Sequence, residues 1–263
     1  MRISIAAPAL AGALVLGAVA VPTAAFAATA KPVITKIASP SFTLGLHGRI
    51  TLGVTVTAKD AKGIKAIYAE PYPLALSKQE HAVPTLADLR ADASDDLLKV
   101  KSRTATTQTA GISETENITK PSQLPPNLLA GTWGVAVLVV ANDGSSTFNA
   151  QATTFNWKRA DTLSSKVSAT RVHKGGKLTV TGRLNRVNWD KRVYQGYGAQ
   201  TARLEFRKTG AKTWTTVKLV KSSRTGALSA TVKDSTSGSW RYVYGGNSTS
   251  GAASSAQTWV GLK

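Results

Sequence analysis

Cysteine is missing from all 263 residues. Its absence excludes disulfides, a thiol nucleophile and any cysteine-based metal site, so the fold must rest on ordinary apolar cores. Histidine is scarce: His47, His81 and His173 are scattered, with no pair at metal-ligand spacing. Neither a G-x-S-x-G elbow nor a G-x-x-x-x-G-K-[ST] phosphate loop occurs. The chain therefore reads as a non-enzymatic protein with no cofactor. Beyond residue 27 no run is long and apolar enough to span a bilayer. Acidic side chains are also few, and they are unevenly spread. Residues 28–158 hold 13 Lys/Arg against 10 Asp/Glu, whereas residues 159–263 hold 19 against 4. Nearly all of the formal charge of +19 thus belongs to the C-terminal part, an asymmetry that speaks to partners and not to fold.

What is present begins with an export signal. Arg2 forms a minimal positive n-region, residues 3–21 are rich in Ala, Leu, Val and Gly, and Pro22 precedes Ala25-Phe26-Ala27. Cleavage is expected after Ala27, with Ala28-Thr29-Ala30 as a second option. An uncleaved anchor is the alternative, but Gly12, Gly17 and Pro22 interrupt the apolar run. The expected localisation is secreted and extracellular, with cell-wall association as one outcome and no stable membrane insertion after cleavage.

In residues 28–158, Leu52, Val54, Val56 and Ala58 alternate with small or polar residues, which is the period of a half-buried strand. Asp60-Ala61-Lys62-Gly63 turns the chain and residues 64–69 run back. Trp133, Val135, Val137 and Val139 form another alternating strand, Asn142-Asp143-Gly144 signals a hairpin, and residues 147–157 return. Between these pairs, Thr85 followed by Asp88 marks a helix start, with a short helix expected near residues 86–93. Asp88, Asp92, Asp95 and Asp96 form an acidic cluster. Calcium is one reading of it, but the D-x-[DN]-x-[DN]-G loop is absent, and a solvated helix start is the simpler explanation. The segments TAKDAKGI and AGTWGVAVLVVANDGSSTF resemble a secreted Ig-like domain of unknown function found in high-GC Gram-positive bacteria. That resemblance implies a fold and a compartment, and no activity.

Residues 159–263 repeat the style. Leu178, Val180 and Leu184 alternate with Thr179, Thr181 and Arg183; Ala202, Leu204 and Phe206 alternate with Arg203, Glu205 and Arg207. Near the end, Trp240, Tyr242 and Tyr244 give one aromatic face, with Arg241 and Val243 on the other. The G-x-x-A-x-L-E-F segment, then S-G-S-W-R-Y-V-Y-G-G-N and a Ser-rich run into a last strand, resemble the bacterial Ig-like repeat families of surface and secreted proteins. Asn247 stands where many members have Asp. The resemblance implies spacers, adhesin stalks or accessory modules. The expected fold class is all-β: two tandem immunoglobulin-like β-sandwiches, residues 28–158 and 159–263, with one short helix in the first.

Two candidate sites follow. Residues 185–200, read as a loop, carry Trp189, Tyr194 and Tyr197 with Arg186, Lys191 and Arg192 interleaved. Aromatic faces beside cations suit stacking on sugars or bases and pairing with phosphate or carboxylate oxygens. The alternative is that the aromatics plug one end of the sandwich and the cations are solvated. Arg183, Arg203, Arg207, Arg241, Lys218, Lys221 and Lys233 extend this into a basic surface. The expected partner is an anionic extracellular polymer (teichoic acid, acidic polysaccharide or extracellular DNA). Neutralising six to ten phosphates would make affinity fall about 10³–10⁵-fold between 50 and 200 mM salt. A protein partner met by strand addition is the second reading, and a calcium-dependent module the third. Glu114 and Glu116 share one strand face, where a glycosidase pair could stand, and a polar outer face is the simpler explanation.

Overall fold

The alternating runs fold as strands, and the longer ones bury their apolar set between two sheets. The computed structural model describes residues 30–79, 83–91 and 94–263. The export segment and its alternative cleavage site before Ala30, together with His81 and Asp92, lie outside the described residues. In order, the first part contains β1 (Val33–Ala38), β2 (Phe42–Leu44), β3 (Gly48–Lys59), β4 (Ile64–Pro73), α1 (Leu86–Ala91), β5 (Lys99–Arg103), β6 (Thr107–Ile118), β7 (Gly131–Ala141) and β8 (Ser146–Arg159). These pair as two sheets, β1-β3-β6-β5 and β2-β8-β7-β4. The second part contains β9 (Asp161–Val167), β10 (Arg171–Val172), β11 (Gly176–Asn188), β12 (Val193–Gly196), β13 (Thr201–Lys208), β14 (Thr215–Lys221), β15 (Ala227–Asp234), β16 (Gly238–Tyr244), β17 (Ala253–Ser254) and β18 (Thr258–Leu262). One of its sheets runs β10-β18-β16-β13-β14, with β17 beside β16. In the other, β9 pairs with one side of β11, and β15 and then β12 pair with the opposite side. The fold is all-β, with immunoglobulin-like sandwiches and one short helix.

Both sandwich cores follow the period-two pattern. Val54, Val56 and Ala58 of β3 face Val135, Val137 and Val139 of β7. In the second core, Leu178, Val180 and Leu184 of β11 pack with Leu204, Trp240, Tyr242 and Tyr244. Each fully buried side chain of this kind is worth about 1.5–3 kcal/mol. The Tyr242 hydroxyl, deep in that core, donates to the Val180 carbonyl at 2.8 Å, and burial pushes its pKa up to about 12. The turn at Asp60–Gly63 needs its glycine: Gly63 has φ +83°, and a Cβ there would lie 2.6 Å from the Ala105 carbonyl.

β7 is buried on both faces. Its second face, Ala136 and Leu138, is covered by Tyr72 and by Leu89 of α1. That helix begins as a reciprocal cap, with Asp88 Oδ2 accepting from the Thr85 N–H and Oγ1 at 2.7 Å and Thr85 Oγ1 accepting from the Asp88 N–H at 3.3 Å. Capping accounts for Asp88, and among the described residues no cluster of three or more His, Asp or Glu side chains is arranged to hold a metal.

A third cluster lies where the two parts of the chain meet. Leu44, Ile50 and Ile118 from the first part pack with Val187 and Trp189 from β11 and the turn after it. No spacer separates the parts: β8 ends at Arg159 and β9 starts at Asp161. Ala160 donates to the Leu44 carbonyl and accepts from the Val187 N–H, both at 2.9 Å.

Candidate functional site

Residues 185–200 are not an open loop. They form the β11–β12 hairpin, in which Asn185 pairs with Gly196, Arg186 with Gln195 and Asn188 with Val193. Its tip docks on the first part of the chain. Trp189 is 1% exposed, packs at a tilt against Trp157 with 6.0 Å between ring centroids, and donates its indole N–H to the Leu44 carbonyl at 3.3 Å. Asn127, at the start of a single 3₁₀ turn, organises the contact. Its amide nitrogen donates to Asn188 Oδ1 at 2.8 Å and to Asp190, and its oxygen accepts from the Trp189 N–H at 2.9 Å and from Arg159 Nη1 at 2.8 Å. The expectation of Trp189 as a stacking surface is therefore corrected: a ring this deeply buried reaches no ligand. The aromatic-plug alternative describes it, the plug being a joint between two sandwiches.

The remaining hairpin residues separate into two groups. Arg186 lies inward, its guanidinium 3.8 Å over the Tyr197 ring and Nη1 donating to Thr249 Oγ1 at 3.3 Å. Tyr197 also accepts from Asn247 Nδ2 at 3.0 Å and meets Tyr244 edge-on. Nearby, burial raises the Asp161 carboxyl to about 6, against the opposing pull of the Ser250 hydroxyl, the Gly251 N–H and Arg186 and Arg159. These residues are occupied with one another. Lys191, Arg192 and Tyr194 are exposed, Arg192 at the hairpin turn with φ +57°.

Arg203, Arg207 and Arg241 do share one face, the outer side of β13 and β16, since Glu205 lies opposite Arg241 in the register. They are not free cations. Glu205, 7% exposed, accepts from Arg203 Nε at 3.1 Å, and its other oxygen meets Arg241 Nη2 at 2.8 Å. Burial pushes the Glu205 carboxyl up, but the two guanidinium bonds outweigh it and hold the group below its ordinary value. Trp214, just before β14, sits under both Arg241 at 4.0 Å and Arg207 at 4.7 Å. Arg207 also donates to Gln257 Oε1 at 2.8 Å. A shallow groove beside it is lined by Arg207, Lys208, Ser239 and the half-exposed Trp259.

The other sheet carries a face that the residue-type reading found only in part. Lys177 stands directly opposite Lys233, Thr179 opposite Thr231, Thr181 opposite both Ser229 and Lys166, and Arg183 opposite Ser164. Lys166, Lys177, Arg183 and Lys233 are all exposed there among hydroxyls, and none has an ion pair among the described residues. Like charges directly across a strand pair cost stability, so this face is arranged against its own folding preference. Lys166 and Lys177 were missed because each is a lone Lys in its own segment; only the register brings them together. Trp214 and Trp259 were missed because strand pairing, not sequence pattern, brings Arg241 to Trp214 and Arg207 to the groove beside Trp259.

No protein-family model matches the chain, and no curated protein matches it. Among solved structures, it is similar to the fibronectin(III)-like modules of Clostridium thermocellum CbhA, with 13% identity over 88% of this chain and 94% of that chain and a TM-score of 0.41. It is also similar to the D0-D1 domain of intimin (11% identity, 86% of this chain and 98% of that chain, TM-score 0.28). A superoxide reductase from Ignicoccus hospitalis gives a comparable score, with 12% identity over 40% of this chain and 82% of that chain and a TM-score of 0.28. Likeness at this level carries no argument, and the architecture rests on the strand pairing given above. Among the described residues no helix is long and apolar enough to cross a membrane.

Proposed function

We propose that the protein is a secreted, non-enzymatic binding module whose cationic second sandwich, residues 159–263, associates with an anionic extracellular polymer. The observation that carries this reading is the face on β9, β11 and β15, where Lys166, Lys177, Arg183 and Lys233 gather with no carboxylate among them. Serine and threonine hydroxyls between the cations add donors for phosphate or carboxylate oxygens. The Trp214–Arg207–Arg241 stack on the opposite side offers an aromatic-cationic surface, partly neutralised by Glu205. Teichoic acid, acidic polysaccharide and extracellular DNA all present the required repeated anion.

The test is binding of the full chain to purified teichoic acid and to single-stranded DNA across a salt series. Four cations engaged give a slope near −3 in log K against log salt, an affinity loss of about 50- to 150-fold between 50 and 200 mM. Lys177→Glu with Lys233→Glu is expected to abolish binding, while Lys191→Glu at the hairpin tip leaves it nearly unchanged. Salt-independent binding, or binding indifferent to the reversal, would overturn the proposal.

A second reading has its own observation. β14 is an edge strand, and Val217 and Leu219 stand exposed on it. A protein partner adding a strand there would use main-chain bonds and those two apolar side chains. Leu219→Lys would weaken such a complex and leave polymer binding intact.

A further inference from the structure

Glu114 and Glu116 are both exposed, yet their phase on the strand is that of the core-facing side and not of the outer face. On β6 the alternating set Ala110, Ile112, Glu114, Glu116 and Ile118 points toward the sandwich interior, where Ala110 and Ile118 are buried. The register puts Glu114 opposite Leu52 and Glu116 opposite Ile50, both lining residues of the same space. The outer set is Ser113, Thr115 and Asn117, and Thr115 bonds Thr51 across the strands at 3.0 Å. Two carboxylates thus stand at core-facing positions. Beside them is a cleft of about 180 Å³ whose other wall is Phe42, Trp133, Phe155 and Trp157. Those four rings are contiguous, with centroids 5.1–6.0 Å apart.

From this juxtaposition we infer that the cleft is a binding site for a small organic ammonium ion carried on a short apolar stem. The lining decides the chemistry. Ring faces and carboxylates both attract a cation, and their effects add. Neither glutamate has an ion pair among the described residues, although the chain is rich in cations. The wall offers acceptors and almost no donors. The Trp133 indole N–H is already given to the Leu129 carbonyl at 2.9 Å, and the Trp157 indole N–H, which has no partner among the described residues, is shut off from solvent. A sugar needs donors as well as acceptors for its hydroxyls, and an anion would meet two negative charges; an alkylammonium needs neither concession. The cleft is smaller than the ~300 Å³ lower end of drug-sized pockets, which suits a head group.

The test is a titration of the full chain with choline chloride, followed by tryptophan emission and by calorimetry, against sodium chloride at matched ionic strength. A neutral analogue of the same shape, 3,3-dimethyl-1-butanol, is titrated alongside. Saturable choline binding is expected, weakened at least about tenfold for the neutral analogue and in Glu114→Gln/Glu116→Gln. The double variant keeps side-chain volume and removes the repulsion between two carboxylates, so its melting temperature should hold or rise. Trp133→Phe, which keeps a ring, should weaken choline less than the double variant does. Equal binding of the neutral analogue, unchanged affinity in the folded double variant, or no saturation by choline would each overturn the inference.

Discussion

Replacing Trp189 by alanine separates a structural joint from a ligand platform. Trp189 is 1% exposed and packed against Leu44, Ile50, Ile118, Val187 and Trp157. A tryptophan buries about 150–250 Å², which at ~25 cal/mol per Å² is about 4–6 kcal/mol as an upper bound. The indole bond to the Leu44 carbonyl adds about 1 kcal/mol. Large-to-small changes of this kind cost about 3–5 kcal/mol when the cavity collapses only in part, and that is the expected loss. Urea unfolding followed by circular dichroism measures it as a lower midpoint. Trp189→Phe, which keeps the ring and loses the N–H, should recover more than half. A loss below about 1 kcal/mol would refute the joint, because burial at this depth cannot be removed so cheaply. Unchanged stability with lost polymer binding would instead restore the stacking role.

Two more predictions follow from the same region. Asn127→Ala removes an amide that serves Asn188, Asp190, Trp189 and Arg159, and should cost about 2–4 kcal/mol by the same assay; a neutral effect would show that the hairpin docks by apolar contact alone. Asp161 has its carboxyl raised from 3.8 to about 6 by burial, so between those values the folded state holds the proton that the unfolded state has lost. Its contribution is present below about pH 4 and disappears as pH rises to 6, amounting to at most roughly 3 kcal/mol. The melting temperature of Asp161→Asn should therefore gain on that of the parent protein between pH 4 and pH 7, and parallel pH profiles would contradict the assignment.

The strands were legible because each apolar alternation in the sequence is a local property. Val54 to Ala58, Val135 to Val139 and Trp240 to Tyr244 fold as their period of two requires. The helix start was also readable, since Thr85 and Asp88 cap it within one turn. What local pattern cannot carry is which strands become neighbours. Trp189 looked available because its partners, Leu44 and Trp157, lie 145 and 32 residues away. Glu114 and Glu116 looked like an outer face because carboxylates usually are, although their phase with Ala110, Ile112 and Ile118 already marked the inward side. That phase was the available signal for the cleft. No comparable signal tied Lys166 and Lys177 to Lys233, whose meeting depends on two separate registers.

Salt-dependent binding of the full chain to purified teichoic acid tests the proposed function most directly. A slope near −3 in log K against log salt, lost in Lys177→Glu/Lys233→Glu, is the result expected of a four-cation face. Binding with no salt dependence, or with the same slope after that double reversal, would contradict an electrostatic association through β9, β11 and β15.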